Sequence, residues 1–271
     1  VKTLAGVLSV DGSVRRGDCV SSRGAEVPTL FELAEDAGLA TGVVSTARLT
    51  HATPAATYAH SPERNWEADS TMPPAARAAG CEDIAAQLLS FDHGDGLELA
   101  LGGGRALFLP SEQDDPEYPF LAGRRTDGRD LVAEWQEASG GAHYVWNAEQ
   151  FAALPDDDAK VLGLFEPSHM QWEADRTGDT AGEPSLAEMT RFAIERLAAR
   201  GTGYVLVVEA GRIDHGHHAT NAYRALTDTI ALSDAVAAAD ALTSAEDTLI
   251  VVTADHSHTM TMAGYPTRGN P

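Results

Sequence analysis

The sequence has few basic residues for its size. Its 271 residues include 19 lysines and arginines against 41 aspartates and glutamates, which gives a formal net charge of -22. Lysine occurs only at Lys2 and Lys160. A nucleic-acid-binding surface needs a basic patch to neutralise phosphates, so we expect no nucleic-acid partner. If the substrate is an anion, metal ions or arginines have to reverse the acidic field at the site.

Cysteine is also scarce, with only Cys19 and Cys81. Two cysteines cannot complete a four-cysteine zinc finger, and they are too few for a disulfide scaffold. They could form one bridge in an oxidising compartment or remain two buried thiols. Composition leaves both alternatives open.

Long apolar runs are missing. No run approaches the roughly 20 residues of a membrane-spanning helix, and the N-terminal residues lack the pattern of a signal peptide. Val1 is not an initiator methionine, so we expect the sequence to begin inside a longer chain or on a processed product. The 43% hydrophobic and 22% charged residues are typical of a globular protein. Residues 1–271 are enough for one large α/β domain.

Short apolar runs alternate with amphipathic segments along the chain. The predicted strands are 42–46, 97–101, 144–146, 161–165, 204–209 and 249–253, and the predicted helices include 27–37, 82–89, 131–137 and 186–200. Ser185 and Glu188 have the spacing of a capping box at the start of the last helix. This alternation predicts an α/β domain with a mostly parallel central sheet and helices on both faces.

The segment 204–218, YVLVVEAGRIDHGHH, is the most informative part of the chain. Its β-branched apolar beginning predicts a strand buried on both faces, with Glu209 at the strand's end. Four potential metal ligands follow within five residues: Asp214, His215, His217 and His218. If a helix begins at His218, Asp214 and His218 lie about one turn apart, and zinc accepts carboxylate and imidazole ligands. The alternative is an ordinary solvated turn.

A second pair of ligands, Asp255 and His256, follows the predicted strand 249–253, and His258 lies just beyond. Parallel strands end at the same edge of a sheet, so we expect this pair to share a cleft with Asp214 and His218. Two carboxylates and two imidazoles suffice for two partly occupied zinc positions.

The strand 42–46 is also followed by polar residues, including Thr50, His51 and Thr53. Thr53 precedes Pro54 and is predicted to cap a short helix. The oxygens of Thr53 and Glu209 would suit magnesium, and Arg64 could hold two oxygens of a phosphate or sulfate. The candidate metal ligands and Arg64 together predict metal-assisted transfer of a phosphoryl-like group.

Together these residues resemble the metal-dependent alkaline phosphatase family. Four blocks carry the resemblance in the family's order: STARLTHATPAATYAH at 45–60, LFEPSHMQWE at 164–173, VEAGRIDHGHH at 208–218 and TADHSH at 253–258. The resemblance implies an alkaline-phosphatase-like fold. It also implies hydrolysis of small phosphomonoesters through a phosphoserine intermediate, at a site with two zinc ions and one magnesium ion.

The family's residue roles transfer to matching positions. By resemblance, the first zinc is held by Asp214 and His218, the second by Asp255 and His256, and magnesium by Thr53 and Glu209. Arg64 resembles the phosphate-binding arginine. His51 lies near the magnesium position, where some members have Asp, and His215 matches a neighbouring position that varies and tunes activity. Trp172 receives no role.

Other features resemble the animal-type members. A peripheral calcium site is implied by Glu166, Glu183, the backbone carbonyl of Phe165 and Glu117, with a solvated acidic loop as the alternative. Cys19 and Cys81 match a disulfide pair. The resemblance further implies a homodimer and a periplasmic or extracellular location, with a membrane anchor as one form of the full-length protein.

Two family features are missing from the sequence. The nucleophilic Ser of an Asp-Ser-Ala or Asp-Ser-Gly motif does not occur in residues 1–26. Asp69-Ser70 is the only Asp-Ser pair, but Thr71 follows it in a turn after Arg64. The family's further zinc-binding His, well downstream of His256, is also missing. We therefore expect residues 1–271 to form a single domain that is incomplete at both ends, inactive alone and weakly metallated.

The sequence also allows two alternative functions. One is hydrolysis of phosphodiesters or sulfate esters by an enzyme of the same superfamily. The other is a truncated, non-catalytic homologue that binds metal. The metal-ligand candidates and Arg64 are all retained, and a remnant would have no chemical need for them, which favours the enzyme.

Overall fold

The structure of the chain is a computed structural model, which describes residues 4–258. Five strands form one sheet with the order β3-β4-β2-β1-β5, and every neighbouring pair is parallel. The strands are β1 (Ala40–Arg48), β2 (Leu99–Gly103), β3 (His143–Val145), β4 (Val161–Leu164) and β5 (Tyr204–Glu209). The predicted α/β class with a parallel sheet is confirmed.

Helices cover both faces of this sheet. They are α1 (Leu30–Asp36), α2 (Ala52–Ala55), α3 (Pro74–Ala78), α4 (Ile84–Ser90), α5 (Leu131–Ala138), α6 (Ala148–Ala152), α7 (Leu186–Ala199), α8 (Arg212–His218) and α9 (Ala222–Leu242). Successive side chains of a strand point to opposite faces. Val43 accordingly packs in the core with α1, α4 and α5, whereas Val44 packs in the core with α7 and α9.

Local hydrogen bonds explain where several helices begin. The predicted capping box of α7 is confirmed: Ser185 Oγ accepts from the Glu188 backbone N–H, and the Glu188 carboxylate accepts from the Ser185 N–H. A second capping box, formed by Thr29 and Glu32, places the start of α1 at Leu30 rather than at residue 27. Satisfying these free N–H groups fixes each first turn.

Two predicted helix starts are wrong. His51, not Thr53, is the cap residue of α2, and Thr53 lies inside that helix. Asp214 and His218 both belong to α8, and α9 begins only after Asn221, whose side chain accepts from the Arg224 N–H. Thr220 separates the two helices with a left-handed φ of 51°. The one-turn separation of Asp214 and His218 therefore arises within a single short helix.

The prediction of a strand at 249–253 is wrong as well. These residues form no strand, and Leu249 and Val251 are 86% and 73% exposed. A strand needs a neighbouring backbone to pair with, and apolar composition cannot supply one. Within residues 4–258, β5 is the edge strand on this side, so it is half-buried rather than buried on both faces.

The irregular N-terminal segment is joined to the rest of the domain by a disulfide between Cys19 and Cys81. Cys19 packs in a small apolar cluster with Trp66, Met72 and Ala76. The bridge that the family resemblance implied is thus present. None of the helices within residues 4–258 is both long and apolar enough to cross a membrane.

Candidate metal centre

The site lies at the carboxyl edge of the sheet, where parallel α/β sheets place their ligands. The register pairs Ser45 of β1 with Glu209 of β5, and Ser45 Oγ donates to Glu209 Oε2 over 2.5 Å. The turn into α8 is tight at Gly211, where an added Cβ would lie 2.8 Å from the Cβ of Ala47. This close approach holds α8 against the end of β1.

Asp214, His218 and His258 converge beyond β5. The Nε2 atom of His218 lies 3.5 Å from Asp214 Oδ2, and the Nε2 atom of His258 lies 3.6 Å from Asp214 Oδ1. All three potential ligand atoms lie within 4.8 Å of one another. Ligands of a tetrahedral zinc ion, at bond lengths near 2.1 Å, are about 3.4 Å apart. The two spacings from Asp214 are therefore close to those around a zinc ion.

Two buried polar atoms in this group also favour a cation site. Asp214 Oδ1 and His258 Nδ1 are buried and have no hydrogen-bond partner within the part of the chain that the structure describes. Buried polar atoms are normally satisfied. A cation bound by Asp214 would supply a partner for its carboxylate oxygen.

The second predicted pair, Asp255 and His256, lies beside this group but is exposed. The side chains are 75% and 57% exposed and form an ion pair of 3.1 Å with each other. His256 Nε2 is 4.0 Å from Asp214 Oδ1. Asp255 is also close enough to Glu209 to raise its pKa. The structure thus brings the two predicted pairs to one place, without a closed ligand cage around the second.

Glu209 and Thr53, the predicted magnesium ligands, are in contact. Burial raises the pKa of Glu209, and hydrogen bonds from Ser45 and Thr53 oppose that rise. The Asp214 and Asp255 carboxylates raise it further. A hard cation would relieve this accumulation of negative charge, and hydroxyl and carboxylate oxygens are suitable ligands for it.

Three imidazoles lie next to these carboxylates. The ring centroids of His51 and His215 are 5.4 Å apart, and His169 lies 5.3 Å from His51 and 4.1 Å from His215. Burial, followed by nearby arginines, lowers the pKa of His51 and of His215 to about 4 and also lowers that of His169. All three rings are therefore neutral at pH 7.

Each of these imidazoles has an arginine beside one ring nitrogen. Arg64 Nη2 lies 3.2 Å from His51 Nε2, and Arg212 Nη1 lies 3.1 Å from His215 Nδ1. Arg48 contacts His169. The structure thus places the predicted Arg64 next to the predicted His51.

A separate acidic group lies near the end of β4. Glu117, Glu166 and Asp179 can converge on one cation, and Glu183 is close enough for its pKa to be raised by Glu166 and Asp179. Among the residues that the structure describes, buried oxygens of Glu117, Glu183 and Asp179 have no hydrogen-bond partner. Burial, then these carboxylates, raises the pKa of Glu117 to about 7 and that of Glu183 to about 9. Carboxylate oxygens are the ligands that calcium prefers, so this group is a candidate cation site, as the resemblance implied.

Sequence reasoning assigned no role to His258, His169 or Asp179. The sequence contains a weak indication that His258 is a metal ligand, because His258 follows His256 of the Asp255-His256 pair by two residues. His169 and Asp179 lie in the excursion between β4 and α7. Only the tertiary path of that excursion brings His169 to His215 and Asp179 to Glu166.

Comparison with known proteins gives consistent matches over the whole chain. A family model described as alkaline phosphatase matches residues 1–271. The tissue-nonspecific alkaline phosphatase of Gallus gallus is 46% identical over 278 residues, which cover 100% of this chain and 53% of the relative. The isozyme of Homo sapiens is 43% identical, with 100% and 52% covered. This chain spans about half the length of these relatives.

Solved structures agree with the fold. The alkaline phosphatase of Thermus thermophilus matches with a TM-score of 0.65 and 35% identity, covering 88% of this chain and 41% of that one. The cold-active alkaline phosphatase of Shewanella sp. matches with a TM-score of 0.62 and 24% identity, covering 89% and 46%. The second match supports the fold alone.

Proposed function

Because this chain belongs to the alkaline phosphatase family, we propose that the whole protein hydrolyses small phosphate monoesters. The observation that carries the proposal is the convergence of Asp214, His218 and His258 at zinc-like spacing, next to Glu209 and Arg64. The catalytic serine and a phosphoserine intermediate belong to the proposal, with the serine outside residues 1–271.

The metal assignment follows the donor sets. Asp214, His218 and His258 hold the first zinc, Asp255 and His256 contribute to the second, and Thr53 and Glu209 hold magnesium. When bound, these ions polarise the phosphoryl group and make water a stronger nucleophile. Ser45 orients the Glu209 carboxylate through its 2.5 Å hydrogen bond.

Arg64 and two of the imidazoles act on the substrate's phosphoryl group. The planar guanidinium of Arg64 binds two phosphoryl oxygens at once. The neutral His51 accepts a hydrogen bond from Arg64 Nη2 and so fixes the orientation of the guanidinium. His215, between Asp214 and Arg212, supplies a further N–H donor at the edge of the site.

Further properties belong to the same proposal. Calcium is held by Glu117, Glu166, Glu183 and the carbonyl of Phe165, with Asp179 as an added ligand. The protein works outside the cytoplasm, in the periplasm or extracellular space, because a Cys19–Cys81 disulfide is stable in oxidising compartments. It acts as a homodimer. A membrane anchor, where the protein has one, belongs to the full-length form.

The test is a substrate panel on the full-length protein from its source, with p-nitrophenyl phosphate, bis(p-nitrophenyl) phosphate and p-nitrophenyl sulfate. We expect the monoester to be cleaved fastest. Arg64→Gln should lower kcat/KM at least about 100-fold, in line with the loss of a bidentate contact to the reacting group. Arg129→Gln is the control, because Arg129 pairs with Glu134 at the surface. Faster cleavage of the diester or the sulfate ester would overturn the proposal.

The 271-residue chain alone serves as a second test. Without the proposed serine it should show no hydrolysis above background while still binding zinc. Robust turnover by this chain would show that the assignment of the nucleophile is wrong.

A further inference from the structure

Two loops meet beside the candidate metal centre. We call residues 48–51, which begin with the last residue of β1, the His51 loop, and we call residues 63–67 the Arg64 loop. Arg64 Nη2 lies 3.2 Å from His51 Nε2, so the two loops are in contact. Glu67 belongs to the Arg64 loop, and the proposed reaction assigns it no part.

The Glu67 carboxylate accepts three hydrogen bonds from the His51 loop. Arg48 Nε and Nη2 donate to its two oxygens, each over 2.7 Å, and Thr50 Oγ1 donates over 2.6 Å. Thr50 is fully buried, and the Glu67 side chain is 13% exposed. Hydrogen bonds to a charged group are stronger than neutral ones, and they strengthen further where water is excluded. Glu67 therefore holds the His51 loop through its strongest polar contacts to the neighbouring loop.

The backbone of Glu67 is itself held in place by α4. The carbonyl groups of Trp66 and Glu67 accept from the backbone N–H groups of Ile84 and Ala85, over 2.9 and 3.2 Å. The Trp66 side chain beside them is buried in the small apolar cluster around the disulfide. A fixed acceptor determines where its donors lie. Glu67 thus sets the position of the His51 loop relative to the Arg64 loop.

The negative charge of Glu67, taken alone, would act against phosphate binding. Burial, with Arg48 and Arg64, lowers the pKa of His51, and the Glu67 charge opposes that lowering, so the charge is felt at the site. A carboxylate at this range repels a phosphate. Removal of the charge by itself would therefore tighten phosphate binding, whereas loss of the link between the loops would weaken it. The two effects differ in sign, so an experiment can separate them.

We propose that Glu67 is a positioning residue for phosphate binding, which holds the His51 loop so that His51 orients the guanidinium of Arg64. This proposal rests on the proposed function, in which Arg64 holds the phosphoryl group. A displacement of about 1 Å in a group that acts on the substrate can cost on the order of 100-fold in rate. A link between the two loops therefore matters for the reaction, although its effect is exerted only through His51 and Arg64.

The test is isothermal titration of the full-length protein with inorganic phosphate, in buffer with zinc and magnesium. Glu67→Gln should raise the Kd of phosphate about tenfold, which lies within the coupling range of residues in one hydrogen-bond network. The matched control is Glu63→Gln in the same loop. Glu63 pairs with Arg16 of the N-terminal segment, over 2.8 and 2.9 Å. Loss of that partly exposed pair should change the Kd less than about twofold.

A second variant guards against misfolding of Glu67→Gln. Thr50→Val removes one hydrogen bond to the Glu67 carboxylate and leaves every charge in place, so it should raise the Kd of phosphate about threefold. An unchanged or lower Kd in Glu67→Gln, or in Thr50→Val if Glu67→Gln does not fold, would overturn the proposal.

A double-mutant cycle with Arg64→Gln shows whether Glu67 acts through Arg64. In the Arg64→Gln background, Glu67→Gln should change the Kd of phosphate less than about twofold. An equal rise in both backgrounds would overturn the proposal, because the loss would then be a general structural one.

The same variants separate this proposal from the proposed function. If Arg64→Gln weakens phosphate binding and lowers kcat/KM for p-nitrophenyl phosphate but Glu67→Gln changes neither, the proposed function stands and the positioning role of Glu67 fails. If the cycle shows coupling for phosphate binding but the unmodified protein does not cleave the monoester, the positioning role stands and the proposed function fails.

Discussion

Replacing His258 with alanine should weaken zinc binding more than any other single change outside α8. His258 Nε2 lies 3.6 Å from Asp214 Oδ1, close to the separation of two ligands on one tetrahedral zinc. Loss of a residue that only supports a ligand typically costs 10- to 100-fold in affinity. Loss of one of three direct ligands should cost at least about 100-fold, which corresponds to about 2.7 kcal/mol.

The assay is competition for zinc against a chromophoric chelator, followed by cobalt substitution. Cobalt in a tetrahedral site should give intense visible absorption in the unmodified chain, and His258→Ala should lose most of that intensity. His217→Ala is the matched control. The His217 ring stacks on His258 with centroids 4.9 Å apart, but its Nδ1 is bonded to the Ile213 carbonyl and it does not belong to the ligand group.

The reasoning would be refuted by an His258→Ala chain that binds zinc as tightly as the unmodified chain. It would also fail if His217→Ala caused an equal loss, because the effect would then come from packing of the rings. In the first case His256, whose Nε2 lies 4.0 Å from Asp214 Oδ1, would be the better candidate for the third ligand.

Two further predictions concern stability. Replacing both Cys19 and Cys81 with serine opens a loop with a sequence separation of 62 residues and should cost about 4 kcal/mol in urea unfolding; a loss below about 1 kcal/mol would contradict the loop-entropy argument. Burial, with Glu35 nearby, raises the pKa of Glu98 to about 7. A carboxyl whose folded pKa exceeds its unfolded value contributes stability below pH 4.5 that is lost as the pH rises to about 7. The Tm should therefore fall less between pH 5 and 8 in Glu98→Gln than in the unmodified chain. An equal fall of the Tm in both proteins would contradict this prediction.

The parts of the fold that the sequence predicted correctly depend on local rules. Tyr204–Glu209 was predicted with the bounds that the structure has, because a β-branched run ending in a carboxylate is a clear strand signal. Ser185 and Glu188 marked the start of α7 through their own hydrogen bonds. Asp214 and His218 converge because four residues span one helical turn.

The errors and omissions arise where distant segments meet. The run 249–253 has strand composition, yet strand formation needs a partner that composition cannot provide. His169 joins His51 and His215 only through the path of the loop after β4. The burial of Arg212 against the Trp172 ring could not be foreseen either, because it is a tertiary property. The assigned ligand roles stay predictions until the metal-binding assays are done.

The half-buried edge strand β5 also affects the behaviour of the chain in solution. Within residues 4–258, no strand pairs with the outer edge of β5, so a second molecule can add a strand there. Leu249 and Val251 also expose apolar side chains to solvent. The net charge of -22 keeps molecules apart by mutual repulsion. Salt screens that repulsion but not the apolar attraction. Storage life should thus be set by ionic strength and protein concentration, and it could shorten in concentrated, salty buffer even though every molecule remains folded.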